Sequence, residues 1–260
     1  MKSLFVLSLP RSLSSFTYHL ARRALGLREP SWTTDGEILN NDRHVLFRGN
    51  AHDTGLKYLH RRQCPWMCDQ ITAFLDQVVQ PQGFAYKDVV HPFVVADWSA
   101  LDRLAVLVIR RPVAEVAWSV VQKDWRYPGH AIDRRDRGPA AASDLPLRGL
   151  LMAETRLDDL VRRGAASVDY DDLIRDESSL TDALQALYPD ASVPRVPYID
   201  DRFIATRTRA LARRDADGFR ELERRIEALR ADAPSPVGDH GLNARAVPES
   251  PSRSRRAATV

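Results

Sequence analysis

The sequence predicts an α/β protein in which helices cover both faces of a central parallel sheet, forming three layers. Residues 3–8 form an apolar, β-favouring run, and apolar positions follow it at helical spacing, at Phe16, Leu20 and Ala24. A second apolar run, residues 104–109, is also followed by helical spacing. Because parallel strands need a crossover connection, usually a helix, strands that alternate with helices favour this fold class.

The second of these units has a clear start for its helix. Arg110, Arg111 and Pro112 follow the apolar run, and proline is favoured in the first turn of a helix. Apolar side chains then share one stripe, at Val113, Val116, Ala117, Val120 and Val121. A continuous apolar strand followed by an amphipathic helix is typical of a sheet that is buried on both faces.

Weaker patterns predict the remaining elements. We expect a helix over residues 68–79, a strand over 83–87, a short strand over 165–169 and a charged amphipathic helix over 217–231. Two segments without a clear period, 27–54 and 126–145, are rich in Arg, Asp, Gly and Pro and are predicted to be long loops. Residues 232–260 have the composition of a disordered tail, which leaves one folded domain over 1–231.

Composition and charge exclude several functional classes. The chain has 260 residues, of which 44% are hydrophobic and 28% charged, as in an ordinary globular protein. A net charge of +3 fits an anionic ligand but is too small to predict nucleic-acid binding. The N-terminal apolar run ends at Pro10, too early for a signal peptide, and no run of about 18 apolar residues predicts a membrane span. We therefore expect a cytoplasmic protein without nucleic-acid or membrane partners, while its oligomeric state is not predicted.

The only two cysteines, Cys64 and Cys68, lie four residues apart. No further Cys or His stands at the spacing of a zinc site. We expect them to be reduced and structural.

The loop after the first strand has the composition of an anion site. Residues 8–15 read Ser-Leu-Pro-Arg-Ser-Leu-Ser-Ser, which supplies a cation, several hydroxyls and a free helix N-terminus. Backbone N–H groups and the helix dipole attract anions at such a point. The loop lacks the glycines and the Lys-Ser/Thr pair of the GxxxxGK[ST] loop, so binding of ATP or GTP is the weaker interpretation.

This loop resembles that of the sulfotransferases that use PAPS (3′-phosphoadenosine 5′-phosphosulfate) as donor. In that family the first strand runs into a Pro-Lys/Arg-Ser-x-Ser/Thr-Ser/Thr turn that binds the 5′-phosphosulfate, and LSLPRSLSSF is similar to it. The resemblance implies the family's P-loop-NTPase-like α/β fold. It also implies a donor cradle made of Arg11, Ser12, Leu13, Ser14 and Ser15.

Two later segments add to the resemblance. Arg111 is followed eight residues later by Ser119, which is similar to the 3′-phosphate motif of the family. Arg110 competes with Arg111 for this role, because family members often place proline two residues after the arginine. Residues 168–173, Val-Asp-Tyr-Asp-Asp-Leu, look like the family's Tyr-Glu-Asp-Leu segment, which implies that Tyr170 lies beside the adenine.

The resemblance implies in-line transfer of the sulfuryl group from PAPS to a hydroxyl acceptor, with PAP (3′-phosphoadenosine 5′-phosphate) as product and no metal required. Arg11 would stabilise the leaving 5′-phosphate, because its guanidinium is permanently charged. The first expectation for the acceptor is a small metabolite that carries an alcohol or phenol. A peptide tyrosine or a carbohydrate is the second.

The acceptor hydroxyl also has to lose a proton to a base. Residues 86–92 read Tyr-Lys-Asp-Val-Val-His-Pro and resemble the Lys-x-His segment of cytosolic family members, although here the histidine follows the lysine by four residues instead of two. His91 is the first candidate base and Asp88 the second, with Lys87 as a partner of the sulfonate. An imidazole base would titrate between about pH 6 and 7.

Other interpretations stay open. A P-loop kinase for nucleotides or small molecules would share the strand-loop-helix layout, and a non-catalytic PAP-binding protein would share the pocket. Arg207 and Arg209 are either a second source of 3′-phosphate cations or part of a solvated basic helix face.

Overall fold

The computed structural model describes residues 1–39, 75–94, 98–123, 125, 127–132, 143–214 and 216–232. Its described part contains a sheet of four parallel strands, β1 (Leu4–Ser8), β2 (Ala85–Asp88), β3 (Ala105–Arg110) and β4 (Ala166–Asp169). The strand order is β2-β1-β3-β4. The predicted α/β class with a central parallel sheet is confirmed.

Strands β1 and β3 are buried on both faces, which explains their nearly unbroken apolar sequences. In β1 the side chains of Leu4 and Val6 enter one apolar cluster, and those of Phe5 and Leu7 enter another. Alternate residues of β3 divide between the same two clusters. Since successive side chains of a strand point to opposite faces, the sheet separates two cores, as three layers require.

Nine α-helices lie with both ends inside the described ranges: α1 (Ser14–Ala24), α2 (His91–Val94), α3 (Val113–Gln122), α4 (Tyr127–His130), α5 (Leu145–Arg162), α6 (Tyr170–Leu173), α7 (Ser178–Leu187), α8 (Asp201–Arg214) and α9 (Asp217–Ala231). Helices α1 and α7 cover the face that carries Leu4. Helices α3 and α5 cover the opposite face, and α9 packs against α3. None of the helices in the described ranges has the length and hydropathy to cross a membrane.

The structure differs from the sequence-based expectation in one of the predicted loops. Within residues 126–145 the chain forms helix α4, which packs on α5. The two helices approach so closely that a Cβ on residue 149 would lie 1.8 Å from the carbonyl oxygen of Pro128, which explains why glycine stands there. The position of α4 therefore depends on tertiary packing, which a local pattern does not reveal.

Other predictions fall partly or wholly outside the described residues. Residues 75–78 of the predicted 68–79 helix are helical. In the first predicted loop, residue 28 bridges to residue 84, just before β2, and residue 37 bridges to residue 87 within β2, so this stretch lies along the sheet edge. The described ranges do not include Cys64, Cys68, residues 40–74 or the predicted tail after 232.

The strand order places a crevice between β1 and β3. After β1 the chain builds β2 on one side of β1, and later β3 on its other side. In open parallel sheets, ligands bind beyond the carboxyl ends of the strands where the order reverses in this way. The loop after β1 and the residues after β3 meet at this point.

Candidate anion-binding site

The loop between β1 and α1 has two residues in the left-handed region. Arg11 has a φ of 65° and Leu13 a φ of 62°. Non-glycine residues rarely adopt this conformation, which costs about 1–2 kcal/mol. Left-handed residues in a turn direct successive backbone N–H groups into one concavity, which is an anion-binding arrangement.

The N-terminus of α1 adds further unpaired donors to this loop. No side chain in the described part of the chain caps it, and its first turn contains no acidic residue. The hydroxyl of Ser12 is fully buried and has no hydrogen-bond partner among the described residues. Because a buried polar group without a partner costs free energy, Ser12 indicates that a further group completes this site.

The loop lines a pocket of about 580 Å³. Its other walls come from β3–α3, from α6 and from α8. The lining residues are Arg11, Ser12, Leu13, Ser14, Ser15, Phe16, Arg111, Ser119, Gln122, Lys123, Tyr170, Thr206 and Arg213. Four of these are arginine or lysine, and no carboxylate occurs among the described lining residues. The pocket thus has the charge and the hydroxyl donors to hold a large anion.

Arg111 is the buried cation of the pocket. Its Nε donates a hydrogen bond to the Glu115 carboxylate at 3.1 Å, and its Nη1 donates to the backbone carbonyl of Arg11. The guanidinium lies over the ring of Tyr170, 4.1 Å from the ring centroid. These contacts fix the guanidinium between the loop and the start of α6.

Arg110 points elsewhere. It is half-exposed and forms an ion pair with Asp158 of α5 at 3.2 Å. It lines a second cavity, of about 320 Å³, and not the 580 Å³ pocket. Of the two adjacent arginines, only Arg111 belongs to the described lining that contains residues 11–16 of the loop and of the start of α1.

Lys87 and Asp88 end β2 in buried positions. Lys87 forms an ion pair with Glu37. The carboxylate of Asp88 accepts three backbone N–H groups, from Leu39 at 2.6 Å, Val90 at 2.7 Å and His91 at 2.8 Å. Burial, with help from the nearby Glu37 charge, raises the pKa of Asp88 to about 6, although these hydrogen bonds oppose the shift.

His91 begins α2 and is fully buried. Its ring stacks on Trp98 and meets Phe5 edge-on, with centroid distances of 5.6 and 5.3 Å. Neither ring nitrogen has a hydrogen-bond partner in the described part of the chain. Burial lowers the pKa of His91 to about 3, so the ring is neutral across the physiological range and does not titrate between pH 6 and 7.

The structure thus brings together the predicted donor residues of the loop with Arg111, Ser119 and Tyr170. The three candidates near the end of β2, Lys87, Asp88 and His91, are not part of the described pocket lining.

Sequence reasoning missed several residues of the pocket. Thr206 and Arg213 of α8 line it, whereas the predicted Arg207 and Arg209 are exposed and lie outside its described lining. The two lining residues are seven apart, which places them on one face of a helix. Gln122 and Lys123, at the end of α3, follow Ser119 by three and four residues and share its face. These helical spacings are the feature of the sequence from which the additional lining residues could have been predicted.

Comparison with known proteins adds little to this site. No protein-family model matches the chain, and no curated protein matches it either. Among solved structures, the Sulfotransferase Domain from the Curacin Biosynthetic Pathway is similar with a TM-score of 0.43 and 13% identity, over 76% of this chain and 78% of that chain. A likeness this distant says nothing about substrate or reaction, which have to be inferred from the pocket.

Proposed function

We propose that this protein is a sulfotransferase that moves the sulfuryl group of PAPS to a hydroxyl acceptor, with a small metabolite as the first candidate. The observation that carries the proposal is the composition of the 580 Å³ pocket, whose described lining combines four cations and no carboxylate with the loop hydroxyls. The three segments that resemble the donor-binding motifs of sulfotransferases are far apart in the sequence, and each contributes to this one lining.

The residues present fit the charge pattern of such a donor. The donor is anionic at both its 5′ and 3′ ends, and the pocket offers separate cations, Arg11 in the loop and Arg111 after β3. The Ser12 hydroxyl and the start of α1, which have no side-chain partners within the described ranges, suit the 5′ end. Arg111 and Ser119 would bind the 3′-phosphate, and the resemblance assigns Tyr170 to the adenine.

The chemistry that these residues would perform is electrostatic. The bond between sulfur and the leaving phosphate oxygen breaks while a bond forms between sulfur and the acceptor oxygen. Negative charge grows on the leaving oxygen, where Arg11 and the N–H groups of the loop can stabilise it. Arg11 acts here as a fixed cation, because a guanidinium does not give up its proton at physiological pH.

The acceptor proton needs a base, for which His91 and Asp88 remain the candidates. A base works best when its pKa lies near the working pH. Asp88, whose pKa is raised to about 6, meets this condition better than His91, whose pKa is lowered to about 3. With Asp88 as base, kcat should rise through about pH 6, and the rise should vanish in Asp88→Asn. With His91 as base, kcat should show no inflection between pH 5 and 8 and should fall about 10²- to 10⁴-fold in His91→Ala.

The proposal is tested first by binding. A ligand that binds only the folded state raises the melting temperature with its concentration, so PAP should stabilise the protein without added divalent metal. ADP and Mg-ATP serve as comparisons. A larger shift with Mg-ATP than with PAP would overturn the proposal in favour of a P-loop kinase.

The second test is transfer. Sulfur-labelled PAPS is incubated with the protein and fractionated acceptor extracts, and labelled products are identified. The expected result is label in a hydroxyl compound, lost in Arg11→Ala. Stabilisation by PAP without transfer to any acceptor would instead identify a PAP-binding protein that is not an enzyme.

A further inference from the structure

A set of linked ion pairs joins Arg111 of the pocket to residues outside its described lining, namely Glu115, Arg214 and Asp171. One oxygen of the buried Glu115 carboxylate, Oε2, accepts from Nε of Arg111 at 3.1 Å. The other oxygen, Oε1, accepts from Nε of Arg214 at 2.8 Å and also from its Nη2. Glu115 therefore joins the pocket arginine to helix α8.

Arg214 extends this set to α6. Its Nη2 also donates to both oxygens of Asp171, at 3.2 and 3.0 Å. Asp171 directly follows Tyr170, whose ring supports the guanidinium of Arg111. The chain of contacts thus returns to Arg111, and α3, α6 and α8 all help to fix one guanidinium.

Arg111 keeps some of its N–H donors for a ligand. A guanidinium has five N–H donors. Within the described residues, Arg111 uses its Nε–H for Glu115 and an N–H of Nη1 for the Arg11 carbonyl. The other three N–H groups have no partner among the described residues, and their directions are set because the first two are held. An arginine held in this way can bind an oxyanion without losing further side-chain entropy.

We infer that Glu115 is a positioning residue, which holds Arg111 in the orientation that binds the donor anion and is itself held by Arg214. The inference rests on the proposed function only for the identity of that anion. Its consequence runs against simple electrostatics. Glu115 is negative and lies close to an anion site, yet its carboxylate should strengthen anion binding because it fixes the direction of Arg111.

The test uses two variants whose charge effects differ. Glu115→Gln removes a negative charge near the pocket but offers one acceptor oxygen where the carboxylate has two. Positioning predicts a rise of about tenfold in the Kd of PAP, since one arginine then faces an amide N–H₂. Charge alone predicts a lower Kd, so an unchanged or lower value would overturn the inference.

Glu115→Asp keeps the charge and shortens the side chain by one methylene. Positioning again predicts weaker PAP binding, whereas charge alone predicts no change. This variant keeps the test decisive if Glu115→Gln does not fold. Glu227→Gln is the matched control, because Glu227 also pairs with an arginine, Arg230, and neither residue belongs to the described lining of the 580 Å³ pocket or of the 320 Å³ cavity. Its PAP affinity should equal that of the unaltered protein.

A spectroscopic measurement separates this inference from the proposed function. In ¹⁵N spectra of arginine Nε–H groups, the Arg111 signal, assigned by its loss in Arg111→Lys, should exchange slowly with water and should broaden in Glu115→Gln. An unchanged signal would refute positioning. If the unaltered protein shows this signal but binds ADP in preference to PAP, the sulfotransferase proposal fails and the positioning inference stands.

Discussion

Strands β1 and β2 are neighbours in the sheet, yet the polar groups after their carboxyl ends are satisfied in different ways. After β1, the Ser12 hydroxyl and the start of α1 have no side-chain partners in the described ranges. After β2, Lys87 is paired with Glu37, and Asp88 accepts three backbone N–H groups. Proteins leave buried polar groups unpaired chiefly where a ligand or water completes them. The difference indicates a binding role at the end of β1 and a structural contribution from Lys87 and Asp88 at the end of β2, although the ring nitrogens of the nearby His91 also have no partner among the described residues.

Arg11→Ala should produce the largest effect and tests the binding side of this comparison. If Arg11 stabilises charge that develops on the leaving group, its loss should lower kcat about 10²- to 10³-fold with a smaller effect on the Kd of PAP. Steady-state kinetics and PAP titration give both quantities. Arg110→Ala, which removes an arginine paired with Asp158, is the control. Equal kcat in Arg11→Ala and the unaltered protein would remove Arg11 from the mechanism.

The pH dependence of stability tests the end of β2, because the titrations of Asp88 and His91 change the free energy of unfolding in opposite directions. The pKa of Asp88 is raised from 3.8 to about 6, so its contribution to stability is full below pH 3.8 and is lost as the pH rises through about 6. The pKa of His91 is lowered from 6.5 to about 3, so its contribution is present above pH 6.5 and is lost as the pH falls through about 3.

Asp88→Asn should separate these two contributions. The variant loses an acceptor for a backbone N–H at every pH, but its side chain no longer titrates. Relative to the unaltered protein, it should therefore gain about 3 kcal/mol of unfolding free energy between pH 4 and 7. Urea unfolding at several pH values measures this difference. A difference that stays constant over this range would mean that the pKa of Asp88 is not raised in the folded protein.

Arg111→Ala should have a smaller effect that depends on the ligand. If Arg111 binds the 3′-phosphate, the variant should lose about tenfold or more in affinity for PAP, and much less for adenosine 5′-phosphosulfate, which lacks that phosphate. Calorimetric titration of both ligands measures the ratio. Parallel losses for the two ligands would point to a general structural effect or to Arg110.

The elements that sequence predicted well are those in which one local pattern determines the outcome. The apolar runs of β1 and β3 are long enough to be buried on both faces, and both strands form within two residues of the predicted bounds. Helix α4 has no such pattern, and its place depends instead on the contact between Pro128 and Gly149.

For the candidate site, the sequence predicted which segments would contribute but not the directions of their side chains. Arg110 and Arg111 are adjacent at a strand end, so only the sheet register and the neighbouring helices decide which one reaches the loop. In the same way, the inward face of α8 depends on its packing. For that reason Thr206 and Arg213 line the pocket, whereas Arg207 and Arg209 are exposed.

The smallest expected effect concerns the strained backbone of the β1–α1 loop. Leu13 has a φ of 62° and is the last residue before α1. Glycine adopts this conformation without the steric cost that a Cβ brings, so Leu13→Gly should relieve strain, while Leu13→Ala removes the same side chain and keeps the strain. After allowance for the greater freedom of an unfolded glycine, Leu13→Gly should be about 1 kcal/mol more stable than Leu13→Ala.

The loop that contains glycine is also less preorganised, so its PAP affinity should be several-fold lower than that of Leu13→Ala. Urea unfolding and PAP titration of the two variants measure both differences. If Leu13→Ala proves the more stable, Leu13 is not left-handed in solution, and the loop does not form the concavity of N–H groups on which the comparison of the two strand ends depends.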